Sequence, residues 1–328
     1  MKLLVTGGLG FIGSNFILHV LENHKQFNII NLDAMLYGSN IKNLAEVQNH
    51  SNYEFVNGNI TNFSLIQKLI LKCDIVVNFA AESFVDRSIS NAEPFFESNI
   101  KGVFTILQII KEQKKQLIHI STDEVFGSLK NDSATEESKF NPSSPYAATK
   151  AAAELLVNSY VVTHGCNCLI TRCTNNYGPR QYPEKLIPKI ILLAHKNKKI
   201  PIYGSGKNIR DWIFVQDHCE GIMNALIHGK QGESYNISAN NEIDNLTLVE
   251  KILSIMDKSS DLIEFVEDRP GHDFRYSLDS SKIRNKLNWL PKTNFEEGIT
   301  KTINWYLSNN YYQKETSKKT LAFTPWKN

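Results

Sequence analysis

Lys2-Leu-Leu-Val-Thr6-Gly7-Gly8-Leu9-Gly10-Phe11-Ile12-Gly13 decides the fold. The short apolar run around Leu3–Val5 reads as a strand, the glycines as a tight turn, and Phe11 to Leu21 as a helix. Gly7, Gly10 and Gly13 carry no Cβ, so backbone amides at the start of that helix can approach a pyrophosphate. A glycine triplet alone fits a structural turn equally well. Here Phe27 to Leu32 reads as a second strand, and Asp33 follows it. A carboxylate at that point accepts hydrogen bonds from a ribose diol and repels a 2′-phosphate, which favours NAD over NADP.

Outward from this loop the pattern repeats. Apolar runs at Tyr53–Val56, Ile75–Phe79, Leu117–Ser121 and Cys168–Arg172 alternate with helical stretches of crossover length. That alternation predicts an α/β fold, a Rossmann-type doubly wound parallel sheet with helices on both faces. Ligands bind such sheets at the carboxyl ends of the strands, where both Gly7 and Thr122-Asp123-Glu124 fall. Beyond about residue 176 the pattern loosens. Tyr177-Gly-Pro-Arg180 and Ile202-Tyr-Gly-Ser-Gly206 are turn-rich, and Leu186–Lys196 and Thr247–Met256 read as helices. The expected division is a nucleotide-binding domain over 1–176, a smaller C-terminal substrate-binding domain over 177–312, and a polar, loosely packed tail over 313–328.

With 328 residues, 41% hydrophobic and 21% charged, the chain has an ordinary globular composition. A net charge of +2 argues against nucleic acid or a membrane surface as partner. No run of 18 apolar residues occurs, and the apolar N-terminus runs into glycines instead of a cleavage site, so a cytoplasmic protein is expected. Cys73, Cys166, Cys168, Cys173 and Cys219 make no pairable framework and no zinc spacing, so reduced thiols and no metal are expected.

Tyr146 and Lys150 are four residues apart and share one helical face. An ammonium there lowers the phenol pKa and holds a nicotinamide ribose, and the phenolate takes a proton from a substrate hydroxyl. Without the glycine loop the pair would read as an incidental surface Tyr and Lys. Ala147, Ala148, Ala151, Ala152 and Ala153 suit this helix to close packing, including across a dimer interface. Thr122 stands where a hydroxyl binds the same substrate oxygen as Tyr146. The adjacent carboxylates Asp123 and Glu124 are costly to ionise together, so one is expected protonated and one ionised, the state that acid–base elimination needs. Gly7-x-x-Gly10-x-x-Gly13 with Tyr146-x-x-x-Lys150 resembles the extended short-chain dehydrogenase/reductase superfamily.

Further segments narrow the resemblance. Thr122-Asp-Glu-Val-Phe-Gly127, Ala80-Ala-Glu-Ser-Phe-Val-Asp-Arg-Ser-Ile89, Ser144-Pro-Tyr146, Thr174-Asn-Asn-Tyr-Gly178, Pro183-Glu-Lys-Leu-Ile-Pro188, Arg210-Asp-Trp212 and Arg269-Pro-Gly-His-Asp273 occur in one order. Over about residues 1–308 they resemble the nucleoside-diphosphate-glucose 4,6-dehydratases, above all those acting on dTDP-glucose. The resemblance implies oxidation at C4 of the hexose with Tyr146 as base. It further implies loss of water across C5 and C6, with Glu124 as base and Asp123 as acid, and return of hydride to C6. It implies bound NAD touching Phe11, Ile12, Asp33, Asn59, Ile60, Ala80, Ala81, Ser98, Lys150 and Asn176. Ser83, Thr122 and Asn175 are implied at the hexose or its phosphates. Lys185, Leu186, Pro201, Tyr203, Arg210, Asn245, Arg269 and His272 are implied at the nucleoside diphosphate, and a homodimer is implied. Arginines suit a pyrophosphate and a Tyr ring suits a base.

Three positions depart from the family pattern. Phe84 replaces a common His, Asn59 a frequent Asp, and Phe126 a common Tyr. Phe84 cannot donate a hydrogen bond, so contacts near the hexose are expected to differ. The competing readings are a UDP-glucose 4,6-dehydratase, a UDP-N-acetylhexosamine 5,6-dehydratase, a nucleotide-sugar 4-epimerase that needs no elimination pair, and a non-catalytic NAD-binding protein.

Overall fold

β1 spans Lys2–Thr6, and its last four residues are buried, as befits a strand covered on both faces. The computed structural model describes residues 1–314 and 321–327. β2 (Asn28–Asp33), β3 (Tyr53–Asn57), β4 (Ile75–Asn78), β5 (Gln116–Thr122) and β6 (Cys168–Cys173) follow at the expected places. Later come β7 (Asn175–Tyr177), β8 (Ile200–Tyr203), β9 (Ile209–Phe214), β10 (Ser234–Ile237), β11 (Glu242–Asp244) and β12 (Ile263–Val266).

The main sheet has seven parallel strands in the order β10-β6-β5-β4-β1-β2-β3. The chain runs outward from β1 through β3, then returns to β4 on the other side. Its connections therefore diverge at the carboxyl ends of β1 and β4, which opens a crevice there. One face of the sheet is packed by Phe16, Ile17 and Val20 of the Phe11–Asn23 helix together with Val215, Ile222 and Leu226 of the Val215–His228 helix. The other face is packed by Ile66, Ile106, Leu107 and Val157. A buried ion pair, Arg172 Nη2 to Glu154 Oε2 at 2.6 Å, ties β6 to the Pro145–His164 helix.

The chain does not divide cleanly at residue 176. β10 completes the main sheet beside β6, and the Val215–His228 helix covers it, although both come from the second half. A four-residue strand flanked by turns gives little periodicity to read, and only pairing with β6 reveals it. The rest of the second half packs β11-β9-β7 and the β8–β12 pair around Ile190, Trp212, Leu248, Ile299 and Tyr306. Residues 321–327 do not trail off as a loose tail: Trp326 is buried, and Lys189 Nζ donates to the Ala322 carbonyl. The remaining tail residues, 315–320 and 328, lie outside the described ones. Among the described residues no helix is long and apolar enough to cross a membrane.

Candidate active site

The turn after β1 is built from backbone alone. Gly7 has φ +72°, and a Cβ there would stand 2.6 Å from the Ala80 nitrogen after β4. A Cβ on Gly13 would stand 2.4 Å from the Gly7 carbonyl, so the first turn of the helix can sit on the loop only without a side chain. The Phe11–Asn23 helix has no acidic residue in its first turn, which leaves its N-terminal amides unopposed. At the end of β2, Asp33 accepts from the Leu9 amide at 2.9 Å and the Met35 amide at 2.7 Å. Burial pushes its carboxyl up, and those amides hold it back.

This turn forms the floor of a cleft. Gly7, Gly10, Phe11, Ile12, Gly13, Asp33, Asn59, Ile60, Ala80, Ala81, Ser98, Tyr146, Lys150 and Asn176 all line it. So do Ser83, Thr122, Asp123, Glu124 and Asn175. Ser98 comes from Phe96–Lys101, a widened helical turn of the π type. A second lobe is lined by Leu186, Pro201, Tyr203, Arg210, Asn245, Arg269 and His272. Phe84, Glu124, Asn175, Gln181 and Lys185 belong to both lobes, so the two are continuous and meet at Glu124.

The side chains expected from the sequence to be catalytic lie around that junction. Thr122 Oγ1 accepts from the Glu124 amide at 3.3 Å and donates to Asp123 Oδ1 at 3.1 Å. Asp123 Oδ2 and Glu124 Oε2 are buried and have no hydrogen-bond partner among the described residues. Burial, then the neighbouring Glu124 charge, push Asp123 well above the usual carboxylate range. Burial also raises Glu124, but Arg269, Lys185 and Arg210 pull it down. The Tyr146 phenol is pushed well up by burial and by Glu124, and is held down by Thr122. Lys150 donates from Nζ to the Ile120 carbonyl at 2.7 Å, and burial lowers its pKa to about 8. The lowering of the phenol by Lys150 that the sequence suggests is thus not what governs Tyr146 here: burial and Glu124 dominate.

The second lobe is cationic. Arg269 Nη1 pairs with Asp86 Oδ1 at 2.7 Å, and the Tyr203 hydroxyl donates to Asp86 Oδ2 at 3.3 Å. Arg210 donates from Nη2 to the Asp273 carbonyl at 2.9 Å and stacks over Tyr276 at 4.3 Å. Lys185 Nζ donates to the Ser83 carbonyl at 2.7 Å. His272 contacts Asp268 at 2.6 Å, and burial, then Arg269, lower its pKa to about 4.

A sequence profile described as GDP-mannose 4,6 dehydratase matches residues 4–302. The chain belongs to that family. A low-salt glycan biosynthesis protein of Haloferax volcanii, Agl12, is 46% identical over 94% of this chain and 99% of its own. The dTDP-glucose 4,6-dehydratase of Mycobacterium tuberculosis is 43% identical over 98% of each chain. The crystal structure of the dTDP-glucose 4,6-dehydratase DesIV of Streptomyces venezuelae, which has NAD bound, superposes with a TM-score of 0.94. It is 41% identical and covers 96% of this chain and 99% of that one.

Several groups of this dehydratase-family site were not singled out from the sequence. Asp86 joins Arg269 to Tyr203, and Glu184 receives Arg87 Nη2 at 3.0 Å and the Tyr37 hydroxyl. Phe84 packs edge-on against Tyr37 at 5.0 Å and Tyr182 at 5.6 Å, with Lys185 Nζ 4.7 Å from its ring centre. An apolar ring therefore holds the loop after β2 against the second lobe. His218 Nδ1 meets Asn176 Oδ1 at 2.9 Å beneath the cleft. Phe84 stands out as a departure from the family pattern, but motif reading passes over the other residues because their partners are far away in sequence. The acids Asp86 and Glu184, inside the quoted Ala80–Ile89 and Pro183–Pro188 segments, are the available signals.

Proposed function

We propose that this chain is an NAD-dependent dTDP-glucose 4,6-dehydratase, a hydro-lyase that converts dTDP-glucose to its 4-keto-6-deoxy product. The observation that carries the reading is the buried Asp123–Glu124 pair beside Tyr146, at the junction of a glycine-floored lobe and a cationic one. An epimerase has no use for such a pair.

The first lobe fits a dinucleotide. A Cβ on Gly10 would meet only the Gly7 carbonyl, at 3.2 Å, so the helix start is bare, and Asp33 stands at the end of β2. Gly10, Gly13, Asp33, Lys150 and Asn176 are the groups we assign to holding NAD. When bound, NAD supplies the hydride acceptor for the first step and the donor for the last.

The chain's own residues handle the protons. Tyr146, oriented by Thr122, takes the C4 hydroxyl proton in its phenolate form. The Lys150 ammonium and the positive charge that bound NAD would bring favour that form against the burial that raises the phenol. The resulting C4 ketone acidifies C5–H, and Glu124, kept ionisable by Arg269, Lys185 and Arg210, removes that proton. Asp123, kept protonated by burial and by Glu124, gives its proton to the C6 hydroxyl, which leaves as water. Arg210, Arg269 and Lys185 face the diphosphate, and Leu186, Pro201 and Tyr203 the base. We also read the protein as cytoplasmic and homodimeric. Its five cysteines are free and buried, and Leu155 and Val162 of the Pro145–His164 helix are exposed.

Incubating the purified protein with dTDP-glucose, UDP-glucose and UDP-N-acetylglucosamine, with products followed by mass and NMR, tests this. Loss of one water with a new C6 methyl and a C4 ketone is expected, and fastest with dTDP-glucose. A 5,6-alkene, or C4 inversion without loss of water, overturns it.

A further inference from the structure

Lys189 lies one turn beyond Lys185 on the Leu186–His195 helix and is only 5% exposed, yet it lines the second lobe beside Leu186, Pro201 and Tyr203. Among the described residues it makes no ion pair. Its Nζ donates to one neutral acceptor, the Ala322 carbonyl, at 3.2 Å. An ammonium has three donors, and burying it with a single neutral partner is costly. Burial accordingly lowers its pKa, while the charges of Glu184 and Asp86 raise it. The lobe's other cations already have an evident role, since Arg269, Lys185 and Arg210 bear on Glu124. Lys189 stands instead on the apolar part of the wall.

Ala322 is held there by tertiary contacts. Trp326 packs edge-on against Tyr203, with ring centres 4.8 Å apart, and the Pro325–Lys327 turn packs on the Val85–Ser90 helix. Lys189 and Tyr203, which line the lobe, are therefore backed by this segment: Lys189 holds the Ala322 carbonyl and Tyr203 meets Trp326.

We propose that Lys189 and the Ala322 carbonyl read the imide edge of a uracil or thymine base, with Lys189 Nζ donating to a ring carbonyl and Ala322 O accepting N3–H. This rests on the reading of the lobe as a nucleotide-sugar site. Cytosine has no proton on N3 and would set a lone pair against the Ala322 carbonyl, so it is rejected.

Calorimetric titration of the full chain, carrying its own cofactor, with dTDP, UDP, CDP and inorganic pyrophosphate tests this. The wild type binds dTDP and UDP at least about tenfold more tightly than CDP. Lys189→Met weakens dTDP and UDP by about ten- to hundredfold, the value of a charge-assisted hydrogen bond, and leaves pyrophosphate unchanged. Trp326→Ala, which keeps Lys189 but loosens the Ala322 segment, shows the same selectivity loss and guards against a folding defect in the first variant. Unchanged dTDP binding in Lys189→Met, a parallel loss of pyrophosphate, or a wild type indifferent between UDP and CDP overturns the inference. A wild type that neither binds these nucleotides nor converts dTDP-glucose or UDP-glucose removes the underlying reading instead, and is recognised by that lack of turnover.

Discussion

Asp123 and Glu124 are consecutive, but their carboxyls stand in unequal surroundings. Both carboxyls are buried, but Asp123 is loaded by its neighbour's charge, whereas Glu124 is answered by Arg269, Lys185 and Arg210. On that inequality we expect the shared proton on Asp123. Asp123→Asn is expected to slow turnover by about 10²–10⁴-fold, and so is Glu124→Gln. The two should differ in one readout. In D₂O, Asp123→Asn still exchanges the C5 proton of bound substrate, while Glu124→Gln does not. Reduced cofactor, followed by its absorbance, accumulates in both. Equal exchange in the two variants would reverse or abolish the assignment.

The same inequality sets a pH profile. With Asp123 raised, its acid form persists above the ordinary carboxylate range, and the alkaline limb of the elimination step marks its loss. Removing the cations that lower Glu124 moves the acid limb. Arg269→Met should therefore shift the acidic limb of kcat to higher pH, measured with saturating substrate, in addition to weakening nucleotide binding.

Lys150 is stabilised poorly by its own site. Its folded-state pKa of about 8 lies below its ordinary 10.5, so the unfolded chain binds that proton more tightly. The penalty is fully present below pH 8 and fades as pH rises toward 10.5. Its size is about 3 kcal/mol at most, from that difference in pKa. Lys150→Met is expected to abolish turnover yet raise the urea midpoint at about pH 7, with the gain shrinking near pH 10. A drop in stability at neutral pH would show that the bond to the Ile120 carbonyl outweighs the desolvation.

Arg172 and Glu154 form an ion pair with side chains 3% and 0% exposed. Breaking it from one side leaves a buried charge, so Glu154→Gln is expected to destabilise the fold by about 3–5 kcal/mol in urea unfolding. Replacing both by Met and Leu should recover most of that loss. Equal loss in the single and double variants would mean that packing, not charge, holds β6 to the Pro145–His164 helix.

Gly13→Ala sets a methyl against the Gly7 carbonyl, where an undisturbed Cβ would be 2.4 Å away. Backbone cannot yield as a side chain can, so the turn must open at a cost of about 1–3 kcal/mol. The purified variant is expected to carry less NAD than the wild type, measured by cofactor released on denaturation, with nucleotide binding in the second lobe retained.

The amino-acid order by itself determined everything that depends on neighbours along the chain. The strand–glycine–helix unit around Gly7, Asp33 at the end of β2, the shared helical face of Tyr146 and Lys150, and the alternation that dictates a parallel sheet are local patterns. They survive in one dimension because backbone geometry repeats with fixed periods. Tertiary structure alone decided what depends on partners distant in sequence. It brought β10 back beside β6, turned Phe84 into part of an aromatic ring with Tyr37 and Tyr182, and raised Tyr146 through burial against Glu124 despite the Lys on its own helix. It also seated Trp326 on Tyr203 from the far end of the chain. Burial and the charge that faces a group from another element are properties of the packed molecule, and no spacing along the chain encodes them.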